Sequence, residues 1–199
     1  MKVMVIGGTG AIGSAVVEQL RLRHEVIVVG ARGGQHQADI EDISQVRALF
    51  GKVGRVDAVV VAAGALHVGP LAELAPEHFH VGLRGKLMGQ VNVALVAREF
   101  LNDGGSITLT SGVDTEQPIR GAVAASTANA AVQGFVRAAA IELPHGLRIN
   151  AVSPTVLRES VHLFGELFTG FEPIAASRAA LSYARSVDGA ETGRVYRAW

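Results

Sequence analysis

The fold is decided by the first thirteen residues of the chain, which read MKVMVIGGTGAIG over Met1–Gly13. Residues 3–6 form a short, wholly apolar run, and residues 11–22 place apolar side chains at helical spacing. Glycines occupy much of the stretch between the two runs. This order predicts a buried strand, a tight turn and a helix.

The same alternation continues to the other end of the sequence. Further apolar runs predict strands at 25–29, 56–62, 106–110, 147–152 and 193–196. Helical patterns cover 43–50, 76–101 and 122–143, with Pro76 at the start of the second and Pro144 after the third. Strands apolar on both faces and separated by helices indicate a parallel sheet covered on both sides. The predicted fold is α/β, a doubly wound parallel sheet in a single three-layer αβα domain over residues 1–199.

Composition excludes several classes of function. Eighteen basic residues balance eighteen acidic ones, so no overall field would attract nucleic acid or an anionic membrane. The chain has no cysteine, which excludes disulfides and thiolate catalysis, and no spacing of ligand residues predicts a metal site. Without a recognisable signal peptide or an apolar run long enough to span a membrane, we expect a cytoplasmic protein.

The glycine-rich turn has the properties that a dinucleotide pyrophosphate requires. Such a ligand needs a tight turn, a backbone free of side chains and amide donors at a helix N-terminus. Gly7, Gly10 and Gly13 recur at a spacing of three between the predicted strand and helix. In that context the turn predicts a dinucleotide site of the Rossmann type.

Motifs spread over Met1–Pro154 resemble the short-chain dehydrogenase/reductase family, with a weaker similarity near Thr192. The turn looks like an atypical TGxxxGxG motif, Asp39-Ile40 like the pair that contacts adenine, and Ala62-Ala63-Gly64 like an altered NNAG. Asn150–Pro154 resembles the segment beside nicotinamide, where Thr155 replaces the family glycine. The resemblance implies a nicotinamide cofactor held by Gly7, Thr9, Gly10, Ala11, Ile12, Gly13, Asp39, Ile40, Ala62, Ala63, Gly64, Pro154 and Thr155.

The end of the second strand bears on which cofactor binds. In this architecture an acid there accepts the ribose 2′-hydroxyl of NAD, whereas an arginine pairs with the 2′-phosphate of NADP. The chain has Arg32 and no acid at this point, so NADP is expected in preference to NAD. The alternatives are that Arg32 is only a solvated loop cation, or that Asp39 binds the ribose.

The family's catalytic pattern is only partly present. Relatives use a tyrosine, a lysine four residues later, a serine and an asparagine for acid-base chemistry beside a hydride donor. The resemblance places Ala125 at the tyrosine position and Asn129 at the lysine position. Ser111 matches the serine, and Lys86 stands where the asparagine would be. We therefore take Ser111 and Lys86 as the candidate catalytic residues.

Each alternative proton carrier also has a simpler interpretation. Lys86 fits equally well as an ordinary surface lysine, and His67, after the fourth strand, as a bystander. Four more titratable residues are most simply solvated surface groups: Asp114, Glu116, His78 and His80.

The last part of the chain is expected to cover the substrate. The segment around 155–185 corresponds to the family's substrate-capping region, and its apolar stretch 161–171 would form a small hydrophobic lid. Core packing explains the same pattern. Alanine-rich faces on the two long predicted helices favour a homodimer or homotetramer.

The sequence thus predicts an NADP(H)-dependent oxidoreductase acting on a small carbonyl or alcohol. The alternative is an NADP(H)-binding sensor or regulatory module without turnover.

Overall fold

The computed structural model describes residues 1–199 as a seven-stranded parallel sheet with helices on both faces. Its order is β3-β2-β1-β4-β5-β6-β7. The strands are β1 (Lys2–Ile6), β2 (Glu25–Gly30), β3 (His36–Gln37), β4 (Val56–Val61), β5 (Leu101–Thr110), β6 (Arg148–Pro154) and β7 (Val195–Ala198). Every pairing between neighbouring strands is parallel.

Seven α-helices connect or flank these strands. They are α1 (Ala11–Arg21), α2 (Ile43–Val53), α3 (Pro76–Gly82), α4 (Gly89–Phe100), α5 (Val123–Ala139), α6 (Val161–Phe164) and α7 (Ala176–Asp188). A six-residue π-helical segment, Leu83–Met88, joins α3 to α4. No helix combines the length and the apolar character needed to cross a membrane.

The two faces of the sheet bury separate apolar cores. In β1, Met4 and Ile6 pack with α2, α4 and α5, whereas Val3 and Val5 pack with α1 and α7. Successive side chains of a strand point to opposite faces, so each central strand must be apolar throughout. The predicted doubly wound three-layer fold is confirmed.

The strand order places a crevice at the carboxyl edge of the sheet. From β1 the chain winds outward to β2 and β3, and it then returns to continue on the other side with β4. Loops leaving β1 and β4 therefore diverge to opposite faces, and ligands of open α/β sheets bind in the crevice between them.

Several predicted boundaries differ from the observed ones. The helix predicted over 76–101 contains the π-helical segment and ends at Phe100, because Leu101 already pairs with Val56 of β4. The ladder then shifts register, and Ser106 is the next residue of β5 to pair. The predicted helix over 122–143 ends at Ala139 as a regular α-helix.

Two elements were not predicted. β3 has only two residues, too few to produce a periodic pattern. α7 lies within the region around 155–185 that we expected to cap the substrate, yet it packs in the core with α1 through Ala179, Ala180 and Tyr183. Only the earlier part of that region, up to Phe171, remains available as a cap.

Candidate functional site

A cavity of about 520 Å³ lies at the carboxyl edge of the sheet. Its wall is formed by the start of α1, the loops after β4, β5 and β6, the start of α5 and the segment around α6. The lining includes Ala11, Ile12, Ala62, Gly64, Ser111, Asp114, Ala125, Asn129, Pro154, Thr155, Phe164, Leu167 and Phe168. Most of the wall is apolar, as in typical small-molecule sites.

The glycine-rich turn leaves the N-terminus of α1 open to this cavity. Gly7 has φ of +83°, and a Cβ there would lie 2.4 Å from the carbonyl oxygen of Ala62. A Cβ on Gly13 would lie 1.9 Å from the carbonyl oxygen of Gly7, so only glycine permits α1 to start this close to the turn. Gly10 is the N-cap and has no side chain to occupy the amides of the first turn. These amides meet the geometric requirement for an anion site.

A second, smaller cavity of about 170 Å³ adjoins the first. Gly64 borders both cavities. The other predicted cofactor residues around the second cavity are Gly7, Asp39, Ile40 and Ala63. The Asp39 carboxylate accepts a hydrogen bond from the Glu41 backbone at 2.9 Å and thereby shapes the loop after β3. The crevice thus extends from the end of β2 to the large cavity.

Four predicted cofactor residues border neither cavity: Thr9, Gly10, Gly13 and Arg32. Thr9 lies against the end of β2, where a Cβ on Gly30 would approach its Oγ1 to 2.7 Å. Arg32 is exposed, forms no ion pair, and follows Ala31, which does border the smaller cavity. Its guanidinium is free to meet an anionic group.

The positions that the resemblance assigns to catalysis come together at the large cavity. Ala125 and Asn129, one turn apart on α5, are both buried and both border it. Ser111 borders it as well, but its hydroxyl donates to the Asn129 carbonyl at 3.0 Å and accepts from Gln133 Nε2 at 3.0 Å. To donate to a ligand, Ser111 must release the bond to Asn129.

Asp114 is a site residue that the sequence did not reveal. We expected a solvated loop acid, yet Asp114 is 8 % exposed and borders the large cavity. Asn129 Nδ2 donates to its two carboxylate oxygens at 2.9 and 3.2 Å, and Ser126 Oγ donates at 3.1 Å. Burial raises the pKa of Asp114, although these hydrogen bonds and Lys86 oppose the shift. Asn129, at the family's lysine position, was the only sequence feature that could have indicated this contact, because a buried asparagine amide needs a hydrogen-bond acceptor.

Lys86 is buried, so its interpretation as a surface lysine is wrong. It lies in the π-helical segment, is 7 % exposed, and packs along Gly64, whose Cβ would lie 3.0 Å from Lys86 Cδ. Its ammonium makes no direct ion pair and does not border the large cavity. Burial lowers the pKa of Lys86 to about 8, with the charge of Asp114 acting in the opposite direction.

Gln90 holds the π-helical segment against the end of β5. Its side-chain amide donates to the carbonyls of Lys86 and Thr110, and its oxygen accepts from the Thr110 backbone at 2.8 Å. Thr110 immediately precedes Ser111, so this bridge fixes Lys86 relative to the cavity. Such π-helical distortions are frequent at functional sites.

The remaining titratable candidates lie elsewhere or are engaged locally. His67 and His78 stack with ring centroids 4.1 Å apart, and His78 Nδ1 accepts from the Ala75 backbone. No cluster of three or more possible metal ligands occurs in the chain. Tyr183 is fully buried, bonds to Thr110 Oγ1 at 2.8 Å and borders neither cavity, so it cannot replace the missing family tyrosine.

Known proteins share both the sequence pattern and the fold. A family model described as enoyl-(acyl carrier protein) reductase matches residues 14–196. The uncharacterized oxidoreductase Rv1714 of Mycobacterium tuberculosis is 35 % identical over 121 residues, covering 58 % of this chain and 45 % of the relative. Hydroxynaphthalene reductase arp2 of Aspergillus fumigatus is 25 % identical over 182 residues, covering 79 % of this chain and 67 % of that protein.

Solved structures match over nearly the whole chain. The protein lin1944 from Listeria innocua is 44 % identical with a TM-score of 0.98, and the match covers 100 % of both chains. A small-chain dehydrogenase in complex with NADPH is 26 % identical with a TM-score of 0.88, covering 99 % of this chain and 95 % of that one.

The chain belongs to the short-chain dehydrogenase/reductase family. It spans less than half the length of the Mycobacterium tuberculosis relative that it matches.

The burial of Lys86 predicts a specific dependence of stability on pH. From about pH 8 upward the folded protein loses this proton, whereas the unfolded chain keeps it up to the ordinary value of 10.5. The unfolded state then binds more protons, so the free energy of unfolding should rise with pH. We expect a gain on the order of 1 kcal/mol up to about pH 9.5, since each pKa unit corresponds to about 1.4 kcal/mol.

Urea denaturation at a series of pH values measures this gain. Lys86→Met should remove the rise, while Lys52→Met, at an exposed position of α2, should keep it. An unchanged slope in Lys86→Met would contradict burial of the ammonium.

Proposed function

We propose that this protein is an NADP(H)-dependent oxidoreductase that interconverts a small, mainly apolar carbonyl compound and its alcohol. The observation that carries the proposal is the crevice itself. A glycine-lined turn with free helix amides, a small cavity at the end of β2 and a larger apolar cavity follow one another along the carboxyl edge of the sheet. A relative of 26 % identity is described in complex with NADPH, which supports the same cofactor here.

The residues present fit such a cofactor. The α1 amides would face the pyrophosphate, and Asp39 with Ile40 would face the adenine in the smaller cavity. Arg32 would meet the ribose 2′-phosphate. Pro154 and Thr155 would flank the nicotinamide, and Thr155 Oγ1 is a buried polar atom with no partner in the chain. When bound, the nicotinamide supplies or accepts the hydride.

The chain's own groups would orient the substrate and move a proton. Ser111 borders the cavity and would hold the substrate oxygen after releasing its bond to Asn129. Lys86, whose pKa burial lowers to about 8, would hold an exchangeable proton beside the site. Phe164, Leu167 and Phe168 would cover the substrate and exclude water.

A spectrophotometric assay of NADPH oxidation against aldehydes, ketones and quinones tests the reaction. We expect turnover of at least one uncharged apolar carbonyl, because the larger cavity is mainly apolar and its only ionisable wall residue is an acid. Tight NADPH binding without any turnover would favour the second candidate function, a cofactor sensor. The observation behind this candidate is that Ala125 and Asn129 replace the family's tyrosine and lysine.

Cofactor preference should depend on Arg32. A charge-assisted hydrogen bond contributes roughly 1.5–3 kcal/mol, or about tenfold to a hundredfold in affinity. Calorimetric titration should show NADP(H) binding more tightly than NAD(H), with the difference lost in Arg32→Ala. Arg21→Ala, in the last turn of α1, is the matched control and should retain it. Equal affinity of the wild-type protein for both cofactors would refute the assignment.

We also propose that the chain forms a homodimer or homotetramer through α4 and α5. The outer face of α5 carries small exposed residues, Thr127, Ala130 and Gly134, and α4 exposes Leu95. Small side chains allow helices of two subunits to approach closely.

Light scattering should give a mass of two or four times 20.7 kDa. Gly134→Glu should lower the mass to that of a monomer, because a Cβ at Gly134 meets nothing within the chain. Gly51→Glu, at an equally open helical position on α2, is the control and should leave the assembly intact. A monomeric wild-type protein at micromolar concentration would refute the proposal.

A further inference from the structure

Asp114 is the only ionisable side chain in the wall of the large cavity. The other polar groups there are hydroxyls, backbone groups and the Asn129 amide. Lys86 is buried close enough to feel the charge of Asp114 but does not reach the wall. Lys86 thus does not line this cavity, whereas the Asp114 carboxyl group does and can meet a ligand there directly.

The Asp114 carboxyl group is held beside Ser111. A Cβ on Gly112 would lie 2.6 Å from Asp114 Oδ1 and 2.7 Å from Asn129 Nδ2, so both groups pack directly against this glycine backbone. Gly112 immediately follows Ser111. The substrate-orienting hydroxyl and the carboxyl group thus share one short stretch of wall.

The same carboxyl group lies beside the space that a larger residue at position 125 would fill. Its partners Ser126 and Asn129 follow Ala125 by one and four residues, and residues four apart share a helix face. Ala125 packs with Val113, the neighbour of Asp114, in one apolar cluster. The short Ala125 side chain leaves the carboxyl group access to the cavity.

We propose that Asp114 is the catalytic acid and base of this site, and that Lys86 is a positioning residue whose charge stabilises the Asp114 carboxylate. The inference rests on the proposed reductase function. In reduction, the carbonyl carbon gains a hydride from the reduced nicotinamide and the C=O π bond breaks toward oxygen. The oxygen takes the proton of the Asp114 carboxyl group, leaving an alcohol, the oxidised nicotinamide and a carboxylate.

The charges around Asp114 suit this role. Burial raises the pKa of the carboxyl group, which favours the protonated form needed for donation. Lys86 is the titratable group that opposes this shift, and it stabilises the carboxylate formed after proton transfer. Glu116, two residues along, is turned outward into an ion pair with Arg197 on β7. Asn129 and Ser126 fix the carboxyl group without titrating.

The first test compares Asp114→Asn with Glu116→Gln in the NADPH oxidation assay, using a carbonyl that the wild type reduces. Loss of a positioned acid typically costs a hundredfold to ten-thousandfold in rate. We expect that loss in Asp114→Asn, with NADPH affinity by calorimetry within about threefold of wild type, and little change in Glu116→Gln. The wild-type reduction rate should fall as pH rises, because the Asp114 carboxyl group loses its proton. This pH dependence should be absent in Asp114→Asn.

Chemical rescue separates a proton-transfer role from a purely structural one. Asp114→Ala opens space in the wall for a small acid, so added formate should restore part of the lost rate. Full activity in Asp114→Asn would overturn the role of Asp114 while leaving the reductase function standing. A loss that formate does not restore, accompanied by weaker NADPH binding and a lower melting temperature, would assign Asp114 a structural role and overturn the proposal.

A titration without cofactor or substrate gives an independent readout. The ¹³C NMR signal of the Asp114 carboxyl group, identified by its loss in Asp114→Asn, should titrate above the ordinary aspartate value. Lys86→Met should raise that pKa further by removing a positive charge, whereas Lys52→Met should not. An ordinary pKa that does not respond to Lys86→Met would overturn the proposal, as would a wild-type protein that binds NADPH and reduces no carbonyl. Of these two results, only NADPH binding without carbonyl reduction would also overturn the proposed reductase function.

Discussion

The close contact between the first turn and α1 determines where everything else in the crevice can lie. Gly13 stands so near the Gly7 carbonyl that a methyl group at Gly13 would overlap it, and Gly7 itself lies against Ala62 after β4. These contacts point the free amides of α1 at the gap between β1 and β4. Both cavities open along that gap, which makes the turn the common reference for the proposed cofactor and substrate regions.

The side of the site that we propose to be catalytic carries different residues from the family pattern on the same backbone frame. Replacing a lysine by Asn129 removes a positive charge from α5, but the asparagine amide then captures the Asp114 carboxylate. A buried positive charge is present nonetheless, at Lys86 in the π-helical segment. A buried carboxyl group and a buried lysine therefore lie within one small region, although they belong to different elements from the family's tyrosine and lysine.

The fold could be predicted from the sequence, and the residues along the proposed cofactor crevice could be named, because both follow from local patterns. Strands apolar on both faces, and glycines between a strand and a helix, have few structural alternatives. The Asp114 arrangement was missed because residue 114 meets residues 126 and 129 only after the loop packs on α5. The burial of Lys86 likewise depends on the π-helical segment, which no periodic pattern in the sequence predicts. Tertiary packing therefore determines both the contacts of Asp114 and the burial of Lys86.

The buried polar groups around the large cavity lower the stability of the folded protein, which indicates that they have a function. A buried lysine without a direct ion pair destabilises the folded state, and a buried polar atom without a partner costs roughly 1–3 kcal/mol. The chain places Lys86, the unpartnered Asn129 Oδ1 and the unpartnered Thr155 Oγ1 at or beside one cavity. An apolar core under selection for stability alone would eliminate such groups, whereas sites that bind and react retain them. The unpartnered groups at this cavity are thus well placed to serve a ligand.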